Sequence, residues 1–292
     1  MVTPNDIVVK KKTSSGLDFY KKRKLARYIG NSYVYIILGI IYLPIILIII
    51  YSFSSGPGFS NFSFSMSNIT ELFTASTSDS RRMITALEHT LFVGIISSLL
   101  ATLLGTVGAI GIFGMRKKSR NILLNASNVP IFNADIIIAL SLMLFFTALS
   151  IPKNAQTVIL AHTAVTMPYV MLSVLPRLKQ MNMSVYEAAL DLGATPLFAI
   201  AKIIVPEVLP GMISGFVLAF TLSIDDFVIA EYTRSNSYET LSTYIYTQAA
   251  GKEGLSGALK PLSALIFLTV LAILIAYNIR KNLKTKNLQL KK

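Results

Sequence analysis

Long apolar runs alternate with short polar ones along this chain, and the runs have the length a bilayer requires. Six of them, at about 33–53, 88–113, 129–151, 157–176, 208–231 and 261–279, each hold some 20 residues. A helix rising 1.5 Å per residue crosses the roughly 30 Å hydrocarbon core in about that many. The pattern predicts an all-α membrane protein with six transmembrane helices. Tyr33, Tyr35, Tyr42 and Tyr51 suit interfacial or bundle-facing positions in the first run. No small-residue cleavage site follows that run, so it reads as an anchor that stays.

The polar segments set the orientation. Of 27 basic residues, 21 fall in segments that lie on one side of the membrane if the N-terminus is inside. The other six are Arg81, Arg82, Lys153, Arg234, Lys252 and Lys260. Basic residues accumulate on the cytosolic side, so both termini and the 177–206 segment are expected there. This distribution also reads the net charge of +13 as topogenesis and lipid contact rather than nucleic-acid binding. The expected division is a basic tail over 1–30 (a solvated tail, or a short helix lying on lipid), the first span with its outer loop over 31–85, a core over 86–280, and a basic tail over 281–292. The loop 54–83 is rich in Ser, Phe and Asn; it reads as either a floppy connection or a cap on the outer face. Its Asn68-Ile69-Thr70 matches a glycosylation sequon in pattern only.

Candidate chemistry is sparse. The absence of cysteine excludes disulfides and thiolate ligands. Two histidines, His89 and His162, argue against a histidine-rich metal site, and His162 reads as an intramembrane hydrogen-bonding residue. No phosphate-binding loop, nucleophile elbow or zinc motif occurs, so no cofactor is expected in this chain and no catalytic residue is assigned. Small residues in the second run (Gly94, Ser97, Ser98, Ala101, Gly105, Gly108, Gly111) and Gly211 with Gly215 in the fifth predict close helix packing.

Charges inside apolar runs are costly and usually face a partner or an aqueous cavity. Asp135 begins the third run on the cytosolic side and reads as a helix N-cap. Asp225 lies about 26 Å along the fifth run from its cytosolic end. At 100° per residue Ser214, Thr221, Asp225 and Tyr232 share one face, with Asp226 adjacent. That stripe suits a cavity wall offering carboxylate and aromatic ring to a cation. Glu231 is expected at the outer interface.

The segment 184–206 has its own local logic. Ser184 through Glu187 fits a capping box. Gly193 is placed to end the helix in a left-handed conformation. Thr195-Pro196 then reads as an N-cap and first-turn proline, starting a second helix through Ile204. Two short helices around a glycine elbow are predicted, with Pro206 and Pro210 marking the start of the fifth run.

This segment also resembles the EAA signature of ABC-importer permeases: Glu187-Ala188-Ala189, then Gly193, Ile203 and Val205-Pro206 at the family's spacing, with Val205 where leucine is usual. The resemblance implies the type I ABC importer permease fold. It further implies that Glu187, Ala188, Ala189, Asp191, Gly193 and Ala194 dock into an ATPase subunit. Thr221 through Ile229, Tyr238 through Tyr246, Ala134 through Leu142 and His162 through Tyr169 are similar to the C-type permease subunit of spermidine/putrescine importers. That resemblance covers about 90–290 and departs at Arg234-Ser235-Asn236-Ser237, where a glycine-containing turn is more usual. It implies a B-type permease partner, two ATPase subunits, an external polyamine-binding protein and alternating access. It also adds Tyr169 to Asp225, Asp226, Thr221 and Tyr232 as a substrate pathway. A permease for another solute and a secondary cation transporter are the alternatives.

Overall fold

The structure is a computed structural model describing residues 14–54, 63–74, 77–250 and 259–269, with single positions to 279. The basic positions Lys10 to Lys12, the loop positions 55–62, Lys252 and the 281–292 tail lie outside the described residues. Among the described residues the chain is helical, apart from one antiparallel bridge between Ser54 and Phe64. It forms two compact units, Met1–Thr74 with Gly257–Lys292, and Ala75–Ser256.

In the first unit, α1 (Ser14–Tyr51) is continuous, so residues 14–30 extend the first span as helix. The outer loop is ordered at its edges. Asn68 in α2 (Ser67–Thr74) donates to the Ser54 carbonyl at 2.7 Å, and Phe64 stacks on Phe53. Asn68 is buried, so the sequon pattern marks a structural amide rather than a glycan site.

In the second unit, three long helices pack together: α3 (Ser78–Phe113), α7 (Ala155–Gln180) and α10 (Val205–Asp225). Thr77 caps α3, which begins ten residues before the expected run. Asn154 caps α7, with Thr157 returning the bond to the Asn154 amide. Val170 of α7 is buried between two glycines. A Cβ on Gly105 of α3 would lie 2.9 Å from the Val170 Cβ, and one on Gly215 of α10 would lie 3.0 Å from its Cγ1. A Cβ on Gly211 would meet the Ser173 carbonyl at 2.9 Å. The small residues are therefore contact points at these positions. Gly111 is an exception, with open space around it.

Several expectations are corrected. The run 129–151 is not one helix. After α4 (Lys117–Ser127) it divides into α5 (Val129–Phe132) and α6 (Asp135–Ala148), separated at Asn133 and Ala134. At 14 residues, α6 extends only about 21 Å. Four described helical stretches are long and apolar enough to cross a bilayer: Ser32–Tyr51, Ser78–Phe113, Ala155–Gln180 and Pro196–Asp225; Asp135–Ala148 and Leu259–Thr269 are apolar but shorter. The fifth run also divides. α10 ends at Asp225, and α11 (Val228–Thr233) starts anew, so Tyr232 does not continue the face of Thr221 and Asp225. Third, Asn182 rather than Ser184 caps α8 (Met183–Asp191), accepting from the Ser184 amide at 3.1 Å. The asparagine lies one residue before the helix, so Ser184 is already inside the first turn.

Beyond the elbow, α9 (Pro196–Ala199) does not end at Ile204. It passes through a π-turn, Ile200–Ile204, straight into α10. The Val205 amide reaches back to the Ile200 carbonyl, one residue further than in an α-helix. Pro206 follows, where its missing N–H and its ring disturb an α-helical ladder. The chain leaves the second unit through α12 (Leu241–Ala250).

Candidate functional site

Two places bring the candidate residues together: a polar cavity near the α10–α11 break, and the elbow between α8 and α9.

The cavity has a volume of about 350 Å³ and is lined by Asp135, His162, Tyr169, Thr221, Asp225 and Asp226 among others. Among the described residues no Lys or Arg lines it. Asp135 is the first residue of α6 and not its cap. Ala134 holds the cap position and makes no side-chain bond, while the carboxylate sits in the first turn, which favours negative charge. Asp135, read from the sequence apart from Asp225, thus shares a cavity with it. The half-helix α6 starts inside the polar space because its run is broken at Asn133. Tyr232 is elsewhere, packed with Ala139, Phe146 and Ile229 where α11 meets α6.

Asp225 and Asp226 have different surroundings. Asp225 closes α10 and is exposed; its carboxylate has no hydrogen bond or ion pair among the described residues. Asp226 turns extended, with φ −70° and ψ 129°. Its carboxylate, one residue ahead of the cap position at Phe227, serves as the side-chain cap of α11, accepting from the Ile229 amide at 3.3 Å and the Ala230 amide at 2.8 Å. Its carbonyl accepts from the Ser242 hydroxyl at 2.7 Å.

His162 is 2% exposed. Its Nδ1 is 2.6 Å from the Ser223 hydroxyl, with donor and acceptor set by the tautomer, and Ser223 lies 3.1 Å from the Ser97 hydroxyl. Its Nε2 faces Asp226 Oδ2 at 3.3 Å, outside hydrogen-bond geometry. The reading of His162 as a hydrogen-bonding residue holds on one nitrogen only. Ser, His and Asp in a row resemble a hydrolytic set, but His162 Nε2 makes no hydrogen bond to Asp226 and the Ser223 hydroxyl is shared with Ser97, so the relay is not formed. Nor do three or more metal-ligating groups converge anywhere among the described residues. Three carboxylates, a phenol and a hydroxyl, with no lysine or arginine among the described lining residues, suit an organic cation. Ser97 and Ser223 were not singled out as site residues. Each is one hydroxyl in an apolar run, and their meeting is a product of α3–α10 packing.

The elbow forms as its residues predict. Gly193 has φ +89°. Its amide bonds the Leu190 carbonyl and the Ala194 amide bonds the Ala189 carbonyl, the paired pattern that closes a helix at a left-handed glycine. The Thr195 hydroxyl accepts from the Phe198 amide, with Pro196 in the first turn. Met181, Tyr186 and Ile200 pack this segment onto the core beneath α7 and α10. Its other side is bare: Glu187, Ala188 and Asp191 are exposed, Leu192 is 89% exposed and Leu197 80%.

At the far end of α3, Arg82 grips both Glu239 oxygens at 3.0 and 2.9 Å. His89 bonds the Glu239 carbonyl and stacks on Tyr238 at 3.9 Å. Burial raises the Tyr238 phenol above its ordinary pKa. Arg234, in the departing turn, pairs with Glu231.

Residues 101–287 match the model of the family described as binding-protein-dependent transport system inner membrane component. The chain is 29% identical over 262 residues to the spermidine/putrescine transport system permease protein PotC of Escherichia coli (strain K12), covering 90% of this chain and 97% of that one. It is 31% identical over 253 residues to the putrescine transport system permease protein PotI of the same strain, covering 80% and 84%. Among solved structures, it superposes on a chain of a bacterial ABC transporter that imports the acidic polysaccharide alginate. That match has a TM-score of 0.67 at 16% identity and covers 89% of this chain and 97% of that one.

Proposed function

The chain belongs to the family of binding-protein-dependent transport system inner membrane components, and on that footing we propose that it is the C-type permease subunit of an ATP-driven polyamine importer. It is a multi-pass membrane transport component rather than an enzyme, and the bilayer we assign it to is the bacterial plasma membrane, with six spans and both termini cytosolic.

The observation that carries the cargo assignment is the cavity where Asp135, Asp225 and Asp226 meet Tyr169 and Thr221, with no lysine or arginine among the described lining residues. Polyamines are flexible chains of ammonium groups. Carboxylates and a phenol replace the water such groups lose on leaving solution, whereas an anion would find only repulsion. Two acids without partners among the described residues, Asp135 and Asp225, allow capture without a cage, which matters because the pathway must also release its cargo.

The partners follow from the same reading: a B-type permease, two ATPase subunits and an external polyamine-binding protein. The chain supplies no ATP site of its own. Closure of the motor pushes on α8 through Glu187, Ala188, Ala189 and Asp191. The Gly193–Ala194 turn carries that push into the continuous helix from Pro196 to Asp225, whose outer end forms the cavity wall. Alternating access then exposes the acids to each side in turn. In proteoliposomes holding this chain with its partner permease, ATPase and binding protein, spermidine or putrescine should accumulate only with ATP. Absence of ATP-dependent accumulation of both amines overturns the cargo assignment.

A further inference from the structure

The two neighbouring acids at the end of α10 look interchangeable in the sequence, and the structure gives them different work. We propose that His162 is a positioning residue that holds Asp226 as the cap of α11, leaving Asp225 as the acid of that pair that meets the cargo. The cargo half rests on the polyamine reading above.

Both Asp226 oxygens are engaged, Oδ1 by the Ile229 amide and Oδ2 by the Ala230 amide. A carboxylate at a helix start accepts charge-assisted bonds and is favoured by the helix dipole. Turning it toward a ligand would free two amides in a water-poor interior. His162 packs behind it, its Nε2 in contact with Oδ2 at 3.3 Å without a hydrogen bond, so it holds the carboxylate by position. The ring cannot swing away freely, because Nδ1 is tied to Ser223, itself in contact with Ser97. The line Ser97, Ser223, His162, Asp226 thus joins α3, α10, α7 and the start of α11. α11 in turn carries Ile229 and Tyr232 against Ala139 and Phe146 of α6. The cap therefore fixes the wall on which Asp135 stands. Asp225, one residue earlier, is exposed and has no hydrogen bond or ion pair among the described residues.

Two readouts on the assembled importer in proteoliposomes test this. The first is amide hydrogen exchange in the peptide carrying Ile229 and Ala230. Asp226→Ala and His162→Ala should speed exchange there about five-fold, the effect of a lost cap. Asp226→Asn, which keeps one of the two accepting oxygens, should fall between, and His162→Gln, which keeps a polar group facing it, should stay near wild type. The second is polyamine moved per ATP hydrolysed, which is insensitive to expression. Asp225→Asn should lower it about ten-fold, and by clearly more than Asp226→Asn does. Unchanged exchange in Asp226→Ala or His162→Ala overturns the positioning role. Equal transport losses in Asp225→Asn and Asp226→Asn overturn the division between the acids. An importer that moves neither amine refutes the polyamine reading, and Asp225 as cargo acid with it; the exchange comparison then still decides whether His162 holds the cap.

Discussion

The elbow and the cavity lie along one helical path, and they are built on opposite principles. The elbow is made by near neighbours. Every bond that shapes it joins residues no more than five apart: Ala194 to Ala189, Gly193 to Leu190, Phe198 to Thr195. Its outward side leaves Leu192 and Leu197 bare, an apolar surface of the kind that marks a protein contact. The cavity is made by strangers. His162 and Ser223 are 61 positions apart, and Ser97 and Ser223 are 126 apart. In the role proposed for the elbow, transmitting force, a shape guaranteed by its own segment is what is needed. In the role proposed for the cavity, holding and releasing cargo, walls that move relative to one another are needed, and residues from different helices supply them.

This contrast makes testable claims, the largest at the elbow. Gly193→Pro should abolish uptake while the subunits still assemble, because proline cannot adopt the φ of +89° seen there. Gly193→Asn, which tolerates that conformation, should retain most uptake, and equal loss in both would remove the backbone argument. In the cavity, Asp135→Asn should lower polyamine moved per ATP about ten-fold, as expected when a charged partner is lost, without changing basal ATP hydrolysis. Wild-type coupling would take Asp135 out of the site.

Between the two regions, Gly211→Val should destabilise the α7–α10 contact by about 1–3 kcal/mol of overpacking, read as a lower melting temperature of the purified protein. The Cβ it adds would lie 2.9 Å from the Ser173 carbonyl. The same change at Gly111, where nothing is near, should leave melting unaltered. The smallest effect is expected for Thr195→Ala, about 1 kcal/mol of lost capping, measured as faster amide exchange at the start of α9. Exchange unaltered there would mean that Pro196 alone sets the helix start.

How much was legible in the chain follows the same division. The glycine turn and the Thr195 cap were, because a left-handed residue and an N-cap are read from a few adjacent side chains. The helix-capping asparagine was missed in favour of Ser184, since both residue types fit that role and only the backbone direction at Asn182 distinguishes them. The membrane class was plain from the apolar runs, but continuous runs did not mean continuous helices. Hydropathy counts carbon and cannot see that Asn133 and Asp226 interrupt the helical ladder. The helical wheel that put Tyr232 beside Asp225 failed for that reason. One extended residue at Asp226 resets the rotation of everything after it.

Composition and local pattern therefore settled what kind of molecule this is: helical, built for lipid, with a glycine-hinged elbow in a polar segment. Those properties depend on hydrophobic length and on backbone preferences, which act within a few residues. Folding in three dimensions settled which acids share a space, which of two adjacent carboxylates is already engaged, and which glycines touch a neighbour. Those depend on how helices distant in the chain rotate against one another, and that rotation is fixed by packing such as Val170 between Gly105 and Gly215.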